Sequence, residues 1–294
     1  MPQITRVGLV AKHHLDAAAG VLAELAGWLE ARHVQTVFET DTAALVGLPP
    51  GRPTTDRDEL PQACDLVVVL GGDGTFIGMA GRIAKSGADV PILGVNFGSL
   101  GFLTEVTLPE LYDVLDSVLR GTAQFDQRMM LRARTLRDGK VHTDLTVLND
   151  VVITKAALSR ITDLSVSLGG QPVMRVRADG LIVATPTGST AYNLAAGGPI
   201  AHPSVDALLL TPIAPHMLTN RPVVVPGSSE IRVQPMMDGA NDEVYVTFDG
   251  QFGHPLEPDD IIDIRRAERS LKLVRATKRP YFQLLREKLK WGER

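Results

Sequence analysis

Three acidic positions in this chain stand where chemistry is easiest to build. Asp73 lies in Gly71-Gly72-Asp73-Gly74-Thr75, directly after the apolar run Leu66-Val67-Val68-Val69-Leu70. A buried strand that ends in glycines and feeds a helix offers free backbone N–H groups to an anion, with the helix dipole behind them. Glycine serves there either because φ is positive or because a phosphate must come closer than a Cβ allows. An acidic side chain inside a phosphate cradle points to a metal or a proton. The turn has neither the lysine of a P-loop nor the spacing of G-x-G-x-x-G. Asp-Gly is also ordinary turn chemistry, with Asp73 as a cap.

The second position is Asn149-Asp150, closing the β-like run Leu145-Thr146-Val147-Leu148. An amide beside a carboxylate supplies donors and acceptors suited to ribose hydroxyls or a base edge, although the pair is equally common in turns. The third is Asp179, which opens a stretch through Leu181-Ile182-Val183-Ala184 to Thr185, Thr187, Ser189, Thr190 and Tyr192. Backbone N–H groups and this many hydroxyls can satisfy a nucleotide with few charges. A plain helix cap explains only one hydroxyl, and the others would be costly to bury without a partner.

Those residues need elements to hold them. Ile4 to Val10 reads as a first strand, Leu15, Ala19, Leu22, Ala26 and Leu29 fall at helical spacing, and Thr36 to Phe38 is a short strand. Gly47 to Thr55 reads as a loop, Phe76 onward as a helix, Val90 to Val95 as a strand, and Leu108 to Leu119 as a helix ended by Gly121. Strands alternating with helices predict a parallel, doubly wound α/β sheet over residues 1–122. From 123 to 270 the texture is short β-like segments between turn signals such as Asp138-Gly139 and Asp249-Gly250, which predicts a β-sandwich or similar all-β unit. Within it only Ser189 to Ala196 looks helical. Residues 271–294 read as a strand and a helix, Tyr281 to Trp291, returning to the first domain.

The 294 residues are 44% hydrophobic and 22% charged, with net charge −4, as in an ordinary globular chain. That balance gives no bulk field for nucleic acid or anionic membrane. The basic cluster from Arg265 to Arg279 has acidic neighbours and reads as a solvated face. One cysteine, Cys64, excludes a disulfide framework and a thiol metal cluster. No signal-peptide core or bilayer-length apolar run is present, so the expected location is the cytoplasm.

Gly71 to Thr75, Asn96 to Thr104, Asn149-Asp150, and Asp179 to Tyr192 followed by Gly197-Gly198-Pro199 together resemble the NAD kinase family, bacterial type. The first motif is shared with diacylglycerol and sphingosine kinases and, more loosely, with phosphofructokinases, so it marks only a superfamily. The block from Asp179 to Tyr192 narrows it. The resemblance implies transfer of a phosphoryl group from ATP to the 2′-hydroxyl of the adenosine ribose of NAD, giving NADP, with Mg²⁺ as the expected divalent metal. It also implies a Rossmann-like first domain, a β-sandwich second domain, and a homodimer or homotetramer.

Carried over by position, Asp73 matches the catalytic carboxylate, the expected general base, and contacts NAD together with Gly74, which lies beside it at the diphosphate; Gly71, Gly72, Gly74 and Thr75 are the candidates for the ATP phosphates. Phe102 matches an aromatic that packs on adenine, Asn149 and Asp150 the pair that holds the dinucleotide, and Asp179 a carboxylate near the nicotinamide. Thr190, Ala191, Tyr192, Asn193, Leu194 and Ala195 match the wall around the adenosine half, and Thr187 joins them as a candidate NAD contact through its hydroxyl. Arg160, Arg177 and Gln251 fall where related bacterial enzymes contact substrate, Arg177 bearing on the choice between NAD and NADH. The resemblance leaves the metal ligands unassigned. Two other readings remain: a lipid kinase sharing the glycine turn, which would need a basic amphipathic membrane helix that does not stand out, and a silent dinucleotide-binding regulator, against which Asp73 argues.

Overall fold

The strand Leu66–Gly71 is buried at every position, as the centre of a parallel sheet requires. It pairs in parallel with Arg6–Ala11 on one side and Ile92–Asn96 on the other. A computed structural model of the chain describes residues 3–48, 51–98, 100–156, 162–217, 219–237, 243–275 and 280–291. Seven strands form this first sheet, in the order Thr54–Thr55, Gln35–Glu39, Arg6–Ala11, Leu66–Gly71, Ile92–Asn96, Leu271–Val274, Phe125–Arg128. The C-terminal strand enters it in parallel, Leu273 against Ile92. The final helix, Tyr281–Leu289, buries Leu284 and Leu285. One compact unit therefore comprises residues 1–127 and 271–294, and the other 128–270.

The helix after the organising strand starts at Asp73 and runs to Ser86, so the turn is only Gly71-Gly72. The apolar pattern shows the helix only from Phe76, because a first turn need bury nothing. None of Gly71, Gly72 and Gly74 has a positive φ. A Cβ at Gly72 or Gly74 would meet no protein atom within 4 Å, so the glycines leave bare backbone beside open space. The stretch expected as loop, Gly47 to Thr55, ends in the two-residue strand Thr54–Thr55, and the residues on either side of it, unassigned from sequence, form the helices Thr40–Val46 and Leu60–Ala63. Glu39 caps the first of these, its carboxylate accepting the Thr42 N–H (3.0 Å) and hydroxyl (2.6 Å). Both helices are too short to display a period.

The second unit is two six-stranded antiparallel sheets. One runs Gln171–Ala178, Thr162–Leu168, Ile231–Met236, Ile261–Arg266, Leu131–Arg137, Lys140–Val147; the other runs Val223–Pro226, Ala207–Ile213, Gly180–Ala184, Asp150–Lys155, Val244–Phe248, Phe252–Pro255. Alternate residues of both, such as Leu164, Val166, Ile262 and Ile264 facing Val151, Ile153, Leu181 and Val183, form one core. Three central strands of the second sheet are apolar on their other face too, where Val152, Ile182, Ala184 and Leu209 pack with Ala196 and Ala201. This is why Leu181 to Ala184 reads as a continuous apolar run rather than an alternating one.

The expected helix from Ser189 to Ala196 is two pieces, a 3₁₀ turn Gly188–Thr190 and a short helix Tyr192–Ala195, parted at Ala191 by ψ −132°. Three residues of the basic cluster are paired with acids: Arg266 with Asp206, Lys272 with Asp89 and Arg275 with Asp126. Among the described residues, no helix is long and apolar enough to cross a membrane.

Candidate active site

In the first unit, Asp73 occupies the first turn of its helix but turns its carboxylate away from that helix. Oδ2 accepts the N–H of Phe102 (2.8 Å), and Oδ1 accepts the N–H groups of Leu103 and Thr104 (3.1 Å each) and the Thr104 hydroxyl (3.0 Å). The carboxylate thus organises the loop after Ile92–Asn96, whose backbone presents three donors in succession. Gly101 makes this possible, since a Cβ there would run into Asp73 Oδ1 and the Thr104 hydroxyl. A carboxylate has about four lone-pair positions. Oδ1 is filled, while Oδ2 keeps one open. The N–H groups of Asp73 and Gly74 lie in a first turn, where no intrahelical acceptor exists.

In the second unit, Leu148 and Asn149 form the bend by which the chain leaves Lys140–Val147 of one sheet and enters Asp150–Lys155 of the other. Asp249 holds that bend. Its carboxylate accepts the N–H of Leu148 through Oδ2 (2.7 Å) and those of Asn149 (2.7 Å) and Asp150 (3.0 Å) through Oδ1. Asp249 and Gly250 both have positive φ, 52° and 63°, and the Gln251 N–H bonds back to the Phe248 carbonyl, the sign pattern of a type I′ turn. From the other side the Thr185 hydroxyl donates to the Leu148 carbonyl (2.6 Å) and the Thr185 N–H to that of Asn149 (2.8 Å). Gly188 packs so closely that a Cβ would strike the Asn149 carbonyl.

This scaffold leaves specific groups unsatisfied. Asn149, 8% exposed, has a buried Oδ1 with no hydrogen-bond partner, and Thr187, 7% exposed, has a buried hydroxyl in the same position. Such groups cost about 1–3 kcal/mol each when left unmade. Asp150 is 5% exposed. Burial, and then the charge of Asp249, push its carboxyl up to about 7. Burial also raises Asp249, against the three N–H groups that favour its charged form. Of two neighbouring buried acids, the one with donors keeps its charge and the other takes the proton.

Two family models cover most of the chain: the ATP-NAD kinase N-terminal domain over residues 7–123, and the ATP-NAD kinase C-terminal domain over residues 148–276. The chain belongs to the NAD kinase family. The NAD kinases of Geotalea daltonii and Geobacter sulfurreducens are each 47% identical to it over 289 residues, 98% of this chain and 99% of theirs. Among solved structures, yeast NADH kinase complexed with NADH matches with TM-score 0.90 at 27% identity, over 100% of this chain and 90% of that one. An NAD kinase from Archaeoglobus fulgidus in complex with ATP matches with TM-score 0.74 at 25% identity, over 97% and 98%.

Within this NAD kinase fold, Gly71, Gly72, Asp73, Gly74, Thr75 and Phe102 come together in the first unit, and Asn149, Asp150, Thr187 and the turn bearing Gln251 in the second. Asp179 does not join the latter group. It occupies the crossing from Gln171–Ala178 of one sheet to Gly180–Ala184 of the other, with Lys155 Nζ 3.7 Å from its carboxylate. Pairing of Gly180 with Thr154 and of Ala184 with Asp150 puts Asp179 and Asp150 at opposite ends of paired strands, roughly 16 Å apart at ~3.3 Å per residue. Arg177 is exposed beside it, and Arg160 lies outside the described residues.

The fold commits most of the hydroxyls between Thr185 and Thr190 to its own carbonyls. Ser189 bonds the carbonyls of Pro186 (2.6 Å) and Ala201 (3.1 Å), Thr185 bonds Leu148, and Thr190 reaches Thr187 O at 3.4 Å. Only Thr187 of that group is orphaned, while Tyr192 is 46% exposed. Asn193 is likewise no ligand contact through its side chain. Its Nδ2 donates to the carbonyls of Ser189 and Pro199, its Oδ1 accepts the Thr211 hydroxyl, and it is fully buried. Ala191, Leu194 and Ala195 are partly or fully exposed around it. The residues that sequence reasoning missed are Gly101, Thr104 and Asp249; the last carries a visible signal, Asp-Gly between β runs, which marks a turn but not what the carboxylate holds. Cys64 is inert, its thiol pushed up to about 12 by burial.

Proposed function

We propose that this chain phosphorylates the 2′-hydroxyl of the adenosine ribose of NAD, with ATP as donor, giving NADP and ADP. The observation that carries the reading is the Asp73 carboxylate, locked by four donors with one lone pair of Oδ2 left over. A secondary hydroxyl is a poor nucleophile, so transfer depends on positioning and on charge neutralisation. Asp73 accepts the hydroxyl proton as the ribose oxygen bonds to the γ-phosphorus and the bond to the ADP oxygen breaks. A placed base of this kind contributes about 10²–10⁴-fold. The bare backbone at Gly72 and Gly74, with Gly71 and Thr75 beside it, receives the donor phosphates at the helix N-terminus.

The dinucleotide is held by Asn149, Asp150 and Thr187; the buried Asn149 Oδ1 and Thr187 hydroxyl, without partners in the chain, gain them from the ligand. Phe102, Thr190, Ala191, Tyr192, Leu194 and Ala195 flank the adenosine half in this reading, and Gln251 lies beside it. Asp179, Arg177 and Arg160 take the nicotinamide end; the separation of Asp179 from Asp150 suits an extended ligand. Among the described residues, no three His, Cys, Asp or Glu side chains gather to hold a metal. Mg²⁺ rests mainly on phosphates with one or two carboxylates, so it belongs to the substrate as Mg-ATP and supplies neutralisation of the transferring group. The same proposal includes a homodimer or homotetramer, on the strength of the family resemblance, and a cytoplasmic setting, supported by the single buried cysteine.

The test is turnover of the purified chain with Mg-ATP and NAD, with NADH and polyphosphate as alternative substrates. Asp73→Asn keeps NAD binding by calorimetry and loses turnover by about 10²-fold or more. Retained turnover in that variant would move the base to another residue.

A further inference from the structure

The C-terminal helix Tyr281–Leu289 reaches the loop that Asp73 organises. Lys288 Nζ donates to the Leu100 carbonyl at 2.5 Å, and the same ammonium lies 5.4 Å from the centroid of the Phe102 ring. Leu100 and Phe102 bracket Gly101, the residue whose missing side chain admits the Asp73 carboxylate. Phe102 in turn gives its N–H to Oδ2, the oxygen with the open lone pair. One cation thus holds the loop on both sides of the glycine, from a helix about 190 residues further along the chain.

We propose that Lys288 is a positioning residue for the phosphoryl-transfer step: by fixing Leu100 and Phe102 it sets the aim of Asp73 Oδ2. The proposal rests on Asp73 being the base. The rest of the loop is knit to its own sheet, through Asn96 N–H to Val106 O and Val106 N–H to Gly94 O, and a Cβ at Gly94 would press on the Leu103 carbonyl. Those ties fix the loop's far end near Val106. Nearer Leu100 the loop is tied to itself, by the Gly98 N–H to Asn96 Oδ1 (2.6 Å) and by the Gly101 N–H to the Thr104 carbonyl (3.4 Å), and the Lys288 ammonium adds a tie at Leu100 from outside the loop. Leu284 and Leu285 are buried and anchor the helix independently of Lys288, so the helix stays docked when the ammonium is removed.

Lys288→Met keeps the aliphatic stem and removes the donor. The expected result is a fall in kcat of about tenfold, the ~1.4 kcal/mol of one hydrogen bond from a charged group. The KM for NAD changes less than about threefold, and Lys288→Arg recovers most of the loss. Hydrogen exchange provides a readout independent of turnover: the amides of Phe102, Leu103 and Thr104 exchange faster in Lys288→Met, while those of Leu66–Gly71 and of the helix from Asp73 do not. Parental kcat with parental exchange in the loop overturns the proposal. So does faster exchange throughout the sheet, or a lost KM that Arg does not restore, because either outcome marks Lys288 as a general structural residue. If the parent itself turns over neither NAD nor NADH, the functional reading fails, and loop exchange alone decides whether Lys288 holds Asp73.

Discussion

Replacing Asp150 by asparagine isolates one buried proton. The amide has the same shape and cannot ionise. In the parent, burial and the neighbouring Asp249 charge raise the Asp150 carboxyl to about 7, against ~3.9 in an unfolded chain. A carboxyl whose pKa is raised on folding contributes stability that is fully present below the unfolded value and is lost as pH rises through the folded one. The parent therefore loses stability relative to Asp150→Asn between about pH 4 and pH 7, and the difference levels off above about pH 8. Its full size is about 4 kcal/mol, an upper bound from the distance between the two values at ~1.4 kcal/mol per pH unit.

Urea unfolding of both ligand-free proteins at pH 4.5, 6 and 8 measures this directly, and the subtraction cancels every other titrating group to first order. The variant gains on the parent at each step. Parallel curves, with a stability difference that does not move with pH, would show that Asp150 titrates as an ordinary exposed carboxylate and would remove the reason for assigning the retained charge to Asp249. The gain in stability should come with weaker NAD binding, since a site that prepays an unfavourable group recovers that cost from its ligand.

Two further substitutions separate scaffold from site. Thr187→Val removes an orphaned buried hydroxyl, so thermal unfolding without ligand should occur higher, by the worth of about 1 kcal/mol; calorimetry should show NAD binding about tenfold weaker. Gly101→Ala drives a methyl into the Asp73 carboxylate; displacement of that base by about 1 Å should cost ~10²-fold in kcat while NAD binding, measured by calorimetry, persists.

The parts legible in the sequence were those written in runs. Leu66 to Leu70 announced a doubly buried strand because five apolar residues in a row fit little else, and the change to short β segments after Gly121 announced the sandwich. The short helices Thr40–Val46 and Leu60–Ala63 were invisible because fewer than two turns carry no period. For the site, residue types identified the acids but not what they touch. Asp73 reads as a group waiting in a phosphate cradle, and its type does not tell that its carboxylate also anchors a loop some 30 residues later in the chain. Asp249 looked like turn punctuation about a hundred residues from Asn149, yet three consecutive backbone N–H groups converge on it. Hydroxyl counting misled for the same reason: Ser189 and Thr185 were already committed to carbonyls brought near by the fold. A side chain's chemistry can be read from its type, but whether that chemistry is still available depends on long-range backbone partners. Among the described residues of the candidate site the available groups are few: one lone pair on Asp73, one amide oxygen on Asn149, one hydroxyl on Thr187, and one misfit proton on Asp150. A substrate rich in hydroxyls and base-edge polar atoms can satisfy the last three without a compensating cation. A lipid acceptor would bring too few polar atoms to do so, which is a physical reason, separate from any likeness of sequence, for preferring a dinucleotide.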